Sequence, residues 1–290
     1  MSIASRILPA AFLFATSGGA TFGSAACAAE AARPWSLAVI GGLTAVQSQS
    51  DQPFAGISLR RALGNAYVRG GLTWVGSGNA RGLAIPADTW LGTIGAGTSM
   101  GAVSLDGYVN FGQRKFNDAS FRRPDGTRVL LDRSGSTFGI GGTATWDIAV
   151  GKDWFVSPFA ALDYNSVDFA VATRVGNVVT GSLQDKSDGV TGTGGVGISY
   201  ILPGEGGSLG LSAAFSHASN LAAVGQIGRT GANLPRFVDS GTAPDSWGEI
   251  AATTSFDISP SVAIDLSLVQ TIGFAFGDTT AGSATLRFAF

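Results

Sequence analysis

The residue types that nucleophilic catalysis uses meet at one place in this sequence. His217 is the only histidine, Ser219 follows it two positions later, and the carboxylates Asp245 and Glu249 lie further along the chain. A histidine, a hydroxyl and a carboxylate are the groups that hydrolytic triads combine. His217 also has the strand parity of the apolar Phe215, which favours an interfacial histidine that closes a strand. We therefore keep these residues as catalytic candidates and predict a protein that is not an enzyme.

Motifs for phosphate or metal binding are weak. The glycine-rich residues 192–197 are followed neither by a helix start nor by the lysine of a phosphate-binding loop. We interpret these glycines as strand positions that relieve crowding inside a barrel. The carboxylates Asp132, Asp185 and Asp188 do not have the spacing of a calcium-binding loop. The sequence predicts no metal site and no cofactor.

The composition indicates a large sheet. Charged residues make up 13% of the chain, glycine accounts for 43 of its 290 residues, and the mean hydropathy is positive. An ordinary soluble domain has about 25% charged residues and about 7% glycine. The net charge of -2 leaves no basic stripe for a polyanion, so we predict that the protein does not bind nucleic acid.

The first 29 residues have the pattern of an export signal. Arg6 supplies the positive charge, residues 7–14 are mostly apolar, and Ala26-Cys27-Ala28 is a small-x-small cleavage site. Acylation of Cys27, as in a lipoprotein, is the alternative, but the usual bulky aliphatic residue three positions earlier is missing. Cys27 is the only cysteine, so cleavage after it leaves a cysteine-free chain that suits an oxidising periplasm.

Alternating apolar and polar residues predict an all-β fold of about twelve antiparallel strands, each roughly ten residues long. The clearest pattern is in residues 137–148, where Phe138, Ile140 and Trp146 alternate with glycine and threonine. After the signal, no apolar run reaches the roughly 18 residues of a spanning helix. If the chain enters a membrane, it must do so as a closed barrel, because lipid cannot satisfy the open edge of a sheet.

The connections between the predicted strands alternate in length. Short turns alternate with longer polar links, of which residues 114–134, 166–186 and 217–245 are the longest. This asymmetry is typical of outer-membrane barrels, and we predict one over residues 30–290. Pro158 lies inside a predicted strand, where it removes a ladder hydrogen bond, and we expect a bulge there.

Charged residues lie on the strand face opposite the apolar band. This face would meet water in a soluble sandwich and would line the lumen in a barrel. Tryptophans near strand ends favour the barrel, because bilayer interfaces collect amphipathic aromatics. The tryptophans near predicted strand ends are Trp35, Trp74, Trp90, Trp146, Trp154 and Trp247. The predicted lumen residues are Arg69, Asp106, Asp147, Asp163, Glu249, Asp257, Asp265 and Arg287.

Three stretches carry a family resemblance: residues 154–164 (WFVSPFAALDY), 213–217 (AAFSH) and 286–290 (LRFAF). Together they resemble the C-terminal β-domain of the autotransporters of Gram-negative bacteria, in segment order more than in identity. The resemblance implies an outer-membrane location in contact with lipid and lipopolysaccharide. It also implies that the barrel-assembly machinery recognises the final strand through Phe288 and Phe290.

The expected amino-terminal segment departs from that family. Autotransporters carry a secreted passenger, joined to the barrel by a helix inside the pore. A helix that crosses about 30 Å needs about 20 residues, and only a few residues separate the expected cleavage site from Trp35. We therefore expect no passenger in this chain, and a secreted partner would be a separate protein.

A second resemblance supports a different function. His217-Ala218-Ser219-Asn220 resembles the His-x-Ser-Asn motif of outer-membrane lipid A deacylases. It implies His217 as base, Ser219 as nucleophile, and Glu249 or Asp245 as the orienting acid. The deacylase barrel is smaller than the one predicted here, however, and its acid lies closer in sequence to its histidine. The leading hypothesis is a non-enzymatic barrel of the autotransporter type, with a lipid A deacylase and a passive diffusion channel as alternatives.

Overall fold

The structure, a computed structural model, describes residues 13–15, 19–21, 33–46, 51–76, 87–116, 119–176, 178–203, 206–221, 244–275 and 277–290. Within these ranges, no helix is long and apolar enough to span a membrane. The expected signal peptide lies mostly outside the described residues. Two of its short segments, Leu13–Ala15 and Gly19–Thr21, pair antiparallel with each other.

Twelve long antiparallel strands of the described residues form one closed barrel, as the sequence predicts. Each strand pairs with the next along the chain, and the last pairs with the first. The strands are β1 (Trp35–Val46), β2 (Gln52–Leu63), β3 (Ala66–Gly76), β4 (Ala87–Met100), β5 (Val103–Phe116), β6 (Arg128–Trp146), β7 (Trp154–Val175), β8 (Val178–Ile201), β9 (Gly207–Ala218), β10 (Asp245–Ser259), β11 (Val262–Ile272) and β12 (Thr279–Ala289).

The seam between β12 and β1 closes the ring. Leu286 lies opposite Val39, and Phe288 lies opposite Leu37. Beyond the ladder, the Trp35 and Phe290 backbones exchange two hydrogen bonds, of 3.1 and 2.9 Å. Closure removes the unpaired edge that would otherwise be exposed.

The two ends of the barrel differ. One end, here the turn end, contains the start of β1, the end of β12 and the tight turns at residues 64–65, 101–102 and 260–261. Gly64 and Gly101 have φ of 68° and 63° there, a left-handed conformation that short hairpin turns require. The longer connections lie at the opposite end, here the loop end.

Two of the three predicted long links are partly strand, so those predictions are wrong. Within residues 166–186, β7 and β8 continue as a paired hairpin up to Val175 and Val178. Within residues 114–134, β6 begins at Arg128, and the short strand Ala119–Arg122 pairs with it. The polar composition of these links predicts loops, but apolar and polar residues continue to alternate within them. A hairpin surrounded by water needs no apolar outer face. In the third link, residues 222–243 lie outside the described residues.

The bulge predicted at Pro158 is also wrong. Pro158 lies opposite Val196 of β8, and the β6–β7 register is the same before and after it. Pairing with β6 is interrupted around Asp147 and resumes at the short strand Ile148–Ala149, because proline has no N–H to donate. Ser157 bridges this gap by donating a hydrogen bond of 2.5 Å to Asp147.

Exposure alternates with strand parity around the ring. Outward side chains such as Ile94 and Leu211 are 63% and 64% exposed, whereas threonines and serines of the other parity are buried. Trp90, Trp146 and Trp154 lie exposed on the outer face. Trp247 differs from the other tryptophans, because it points inward and is only 1% exposed. The wall is therefore apolar outside and largely polar inside, the reverse of a soluble protein. One buried apolar cluster, of Ile40, Phe54, Val75 and Leu91, also lies on the inner face.

We expect the seam to tolerate loss of a side chain but not of a backbone donor. Leu286→Pro removes a ladder hydrogen bond from β12, whereas Leu286→Ala keeps the backbone intact. Detergent gels of heated and unheated samples measure the folded barrel. Leu286→Pro should abolish the heat-modifiable band and Leu286→Ala should retain it; a folded band for both would contradict the importance of the seam.

Candidate functional site: the polar inner wall

A cluster of polar side chains joins β3 to β5 across the intervening strand. Tyr67 donates a hydrogen bond of 2.5 Å to Asp106 Oδ2, and Arg69 Nη2 lies 2.8 Å from Asp106 Oδ1. The Arg60 guanidinium stacks over the Tyr67 ring at 4.3 Å. Both arginines are more than nine-tenths buried. One carboxylate thus holds a phenol and a guanidinium together, and charge assistance strengthens both contacts.

Glycines on β4 make this reach possible. A Cβ atom at Gly97 would lie 2.5 Å from the Tyr67 ring, and one at Gly95 would lie 2.7 Å from Arg69 Nε. Side chains at these two positions would therefore displace the tyrosine and the arginine. Because both positions are glycine, the two long side chains lie along the wall and do not extend across the lumen.

The same arrangement recurs from β5 to β7. Tyr108 donates a hydrogen bond of 2.5 Å to Asp163. It passes over Gly141 of β6, where a Cβ atom would lie 2.7 Å from the tyrosine oxygen. Asn110 and Asn165 flank Gly139 of β6 in the same way. A repeated pattern of long polar residue, glycine and acceptor therefore covers this part of the wall.

A third cluster lies beside the seam. Arg287 of β12 holds Asp265 of β11 through two contacts, of 2.6 and 3.0 Å, and also donates to Ser255 of β10 at 3.1 Å. The pair is largely buried. Bidentate geometry makes this the strongest type of arginine–carboxylate contact.

Glu249 is the centre of a fourth cluster, near the loop end. It accepts hydrogen bonds from Ser216 at 3.0 Å and from the Trp247 indole at 2.8 Å. Trp247 packs edge-on against Phe274, with 4.9 Å between ring centres. The carboxylate is thus held on the inner face by two neutral donors and an apolar support.

The remaining predicted lumen residues lie at the turn end. Asp147 accepts the hydrogen bond from Ser157 and is partly buried. Asp257 has the parity of the inner wall but is exposed, and the β10–β11 register shifts between Asp257 and Ser259.

Several inner-wall residues were not singled out from the sequence. Tyr67 and Tyr108 have the strand parity of the charged residues beside them, and this signal was sufficient to find them. Arg114 and Arg133 fell in a predicted link; in the structure they lie 5.7 and 6.0 Å from the centre of the Phe116 ring. Phe116 also meets Phe169 edge-on at 5.5 Å.

The structure does not bring the candidate catalytic residues together. His217 is exposed on the outer face, where Nδ1 lies 2.8 Å from the Ser246 hydroxyl. The Ser219 hydroxyl accepts the Val190 amide at 2.9 Å. Glu249 is on the inner face, and the wall of the barrel separates it from His217.

Asp245, the other acid considered, accepts the Ala275 amide at 3.0 Å. Within the described part of the chain, no cluster of three His, Cys, Asp or Glu side chains is placed to hold a metal ion. The candidate site therefore consists of the four clusters of polar side chains on the inner wall.

Comparisons with known proteins agree on one kind of barrel. A family model described as the autotransporter beta-domain matches residues 63–268. The translocator domain of the autotransporter NalP from Neisseria meningitidis superposes with a TM-score of 0.64, at 13% identity over 88% of each chain. The beta domain of the Bordetella autotransporter BrkA has a TM-score of 0.60, at 14% identity over 88% of this chain and 98% of that one.

LpxR from Salmonella typhimurium superposes with a lower TM-score of 0.51, at 11% identity over 88% of this chain and 100% of that one. No curated protein sequence matches this chain. At these identities the solved structures establish the fold alone.

We expect the wall glycines to be sensitive to a single added methyl group. Gly97→Ala and Gly141→Ala force Tyr67 or Tyr108 off its carboxylate, at a cost of about 1–3 kcal/mol. Gly194→Ala on the outer face meets nothing within 4 Å. Thermal unfolding in detergent should show lower midpoints for the two inner variants and little change for Gly194→Ala. Equal midpoints for all three would contradict the packing described here.

Proposed function

The chain belongs to the autotransporter beta-domain family, and on this ground we propose that it is an outer-membrane barrel whose polar lumen lets hydrophilic solutes through without covalent chemistry. The observation that carries the proposal is the reversal of polarity across the wall. Apolar side chains cover the outside of the ring, and four hydrogen-bonded polar clusters lie on the inside. A bilayer outside and water inside are the surroundings that stabilise both faces.

The outer face supports the membrane part of the proposal. Burial of a leucine, isoleucine or phenylalanine side chain is worth about 1.5–3 kcal/mol. Large apolar side chains more than half exposed, such as Ile94, Leu211 and Phe215, recur on several strands. Lipid recovers this free energy, which water around a monomer cannot do. The exposed Trp90, Trp146 and Trp154 suit the two interfaces.

The inner face supports passage. Tyr67, Arg69 and Tyr108 lie along the wall over glycines and are held there by carboxylates. Long side chains held in this way leave the centre of the barrel to water. Polar side chains line much of the inner wall, beside the buried apolar cluster of Ile40, Phe54, Val75 and Leu91. The wall therefore suits hydrophilic solutes better than apolar ones.

The hydrolase alternative receives no support from the positions of its residues. His217 and Glu249 lie on opposite faces of the wall, and the Ser219 hydroxyl is bonded to the Val190 backbone. A general base must come within hydrogen-bonding reach of its nucleophile. We therefore propose that the chain releases no acyl chains from lipid A, and that Ser219→Ala leaves its properties unchanged.

Export and assembly belong to the same proposal. The signal pattern of residues 1–29 and the lack of a cysteine after Cys27 suit passage through the periplasm. The exposed Phe290 ends the chain beside the seam, where assembly factors can reach it. We propose that the loop end then faces lipopolysaccharide at the cell surface.

Single-channel recording in planar bilayers tests the lumen. The purified protein should give a steady open current. Gly141→Leu should reduce this current severalfold, because the added side chain drives Tyr108 into the lumen. Gly194→Leu adds the same bulk on the outer face and is the control. A wild-type barrel without current would overturn the proposal.

Deletion of Phe290 tests the assembly signal. We expect severalfold less protein in the outer membrane, whereas protein refolded in detergent should still show the heat-modifiable band, because most seam pairs remain. Phe290→Tyr keeps an aromatic terminus and is the matched control. Normal outer-membrane levels of the shortened chain would show that Phe290 is not a signal.

A further inference from the structure

Charged side chains of opposite sign predominate on opposite halves of the inner wall. We infer that the lumen carries a transverse electric field, positive on the half formed by β2 to β6 and negative on the half formed by β7 to β12. We further infer that zwitterions, solutes that carry both charges, are the class that it admits best. The inference rests on the proposed passage of solutes and specifies their chemistry.

The first half has an excess of positive charge. Its inward charged side chains among the described residues are the four arginines Arg60, Arg69, Arg114 and Arg133 and the single carboxylate Asp106. Arg69 and Asp106 neutralise each other at 2.8 Å. The described residues of this half therefore contribute three positive charges in excess.

The second half has the opposite excess. Its inward charged side chains among the described residues are the four carboxylates Asp163, Glu249, Asp257 and Asp265 and the single cation Arg287. Arg287 neutralises Asp265 at 2.6 Å. Asp245, at the loop-end rim of β10, adds a further negative charge. Asp147 lies between the two halves, after β6.

The two poles face each other across the barrel. Around the ring, β3 and β10 are five strands apart in one direction and seven in the other. β3 therefore lies nearly opposite β10. Arg69 is near the turn end, as is Asp257, whereas Glu249 lies towards the loop end, as do Arg114 and Arg133. The ion pairs Arg69–Asp106 and Arg287–Asp265 each lie within one half, so they reduce the charge of that half without cancelling the difference between the two.

Such a field sorts solutes by their own charge distribution. Cations find a favourable side at the negative wall and anions at the positive wall, so the field does not favour one sign of simple ion over the other. A zwitterion that turns its carboxylate to β3 and its ammonium to β10 gains at both walls. The low-dielectric wall focuses these potentials, which in clefts raise local ligand concentration by about tenfold or more.

Charged thiol reagents test the field without requiring current. In a Cys27→Ser background, Ala62→Cys places a thiol beside Arg60, and Thr253→Cys places one on β10; both native side chains face inward and are only half-buried. Anionic and cationic methanethiosulfonates are compared at each site. We expect the anionic-to-cationic rate ratio to be about tenfold higher at Ala62→Cys than at Thr253→Cys.

Two further variants assign the effect to the inner wall. Added to Ala62→Cys, Arg60→Gln should lower the ratio. Arg61→Gln should not, because Arg61 is exposed on the outer face against Trp35. Equal ratios at the two thiols would overturn the inferred field, whether or not the barrel conducts.

Proteoliposome swelling tests the solute class. The protein-dependent rate should be severalfold higher for glycine than for glycolamide, its uncharged isomer. Arg60→Gln combined with Glu249→Gln should remove this preference; the amide oxygen of the second substitution can still accept the bonds from Ser216 and Trp247. Equal rates for both solutes in the wild type would overturn the zwitterion inference. If neither solute passes, the proposed function fails as well, and the thiol ratios then report on the field separately.

Discussion

Backbone hydrogen bonding around a closed ring is the constraint on which the rest of this structure depends. A strand in lipid cannot leave N–H or C=O groups unpaired, so β12 must meet β1, and each strand between them must find two neighbours. The seam from Trp35 to Phe290 satisfies that requirement. Pro158 is an exception to this pairing. Because proline has no N–H to donate, a gap opens in the hydrogen-bond ladder there, while the register of the two strands is kept.

Closure also explains why glycine is so common in the wall. The lumen of a ring must accommodate the long polar side chains that the inner face carries. Gly95, Gly97 and Gly141 let Tyr67, Arg69 and Tyr108 lie along the wall, where Asp106 and Asp163 hold them. The same contacts hold these side chains against the wall, so the packing that supports the fold also suits the proposed passage of solutes.

The clusters further decide how charge is distributed. The Arg69–Asp106 and Arg287–Asp265 pairs each join strands of the same half of the ring, so this pairing does not mix the two signs. The chain as a whole is nearly neutral, with a net charge of -2, yet the inward charges of its described residues are mostly positive on β2 to β6 and mostly negative on β7 to β12. The solute class that we infer therefore depends on where charges lie in the ring more than on how many there are.

The sequence by itself determined which face each side chain takes, because strand parity is a local property of period two. The placement of Arg69 and Tyr67 on the same face follows from it. Only the tertiary structure decided which side chains meet. That Tyr108 reaches Asp163, and that β7 and β8 continue into the predicted link 166–186, depend on register and on neighbours distant in sequence.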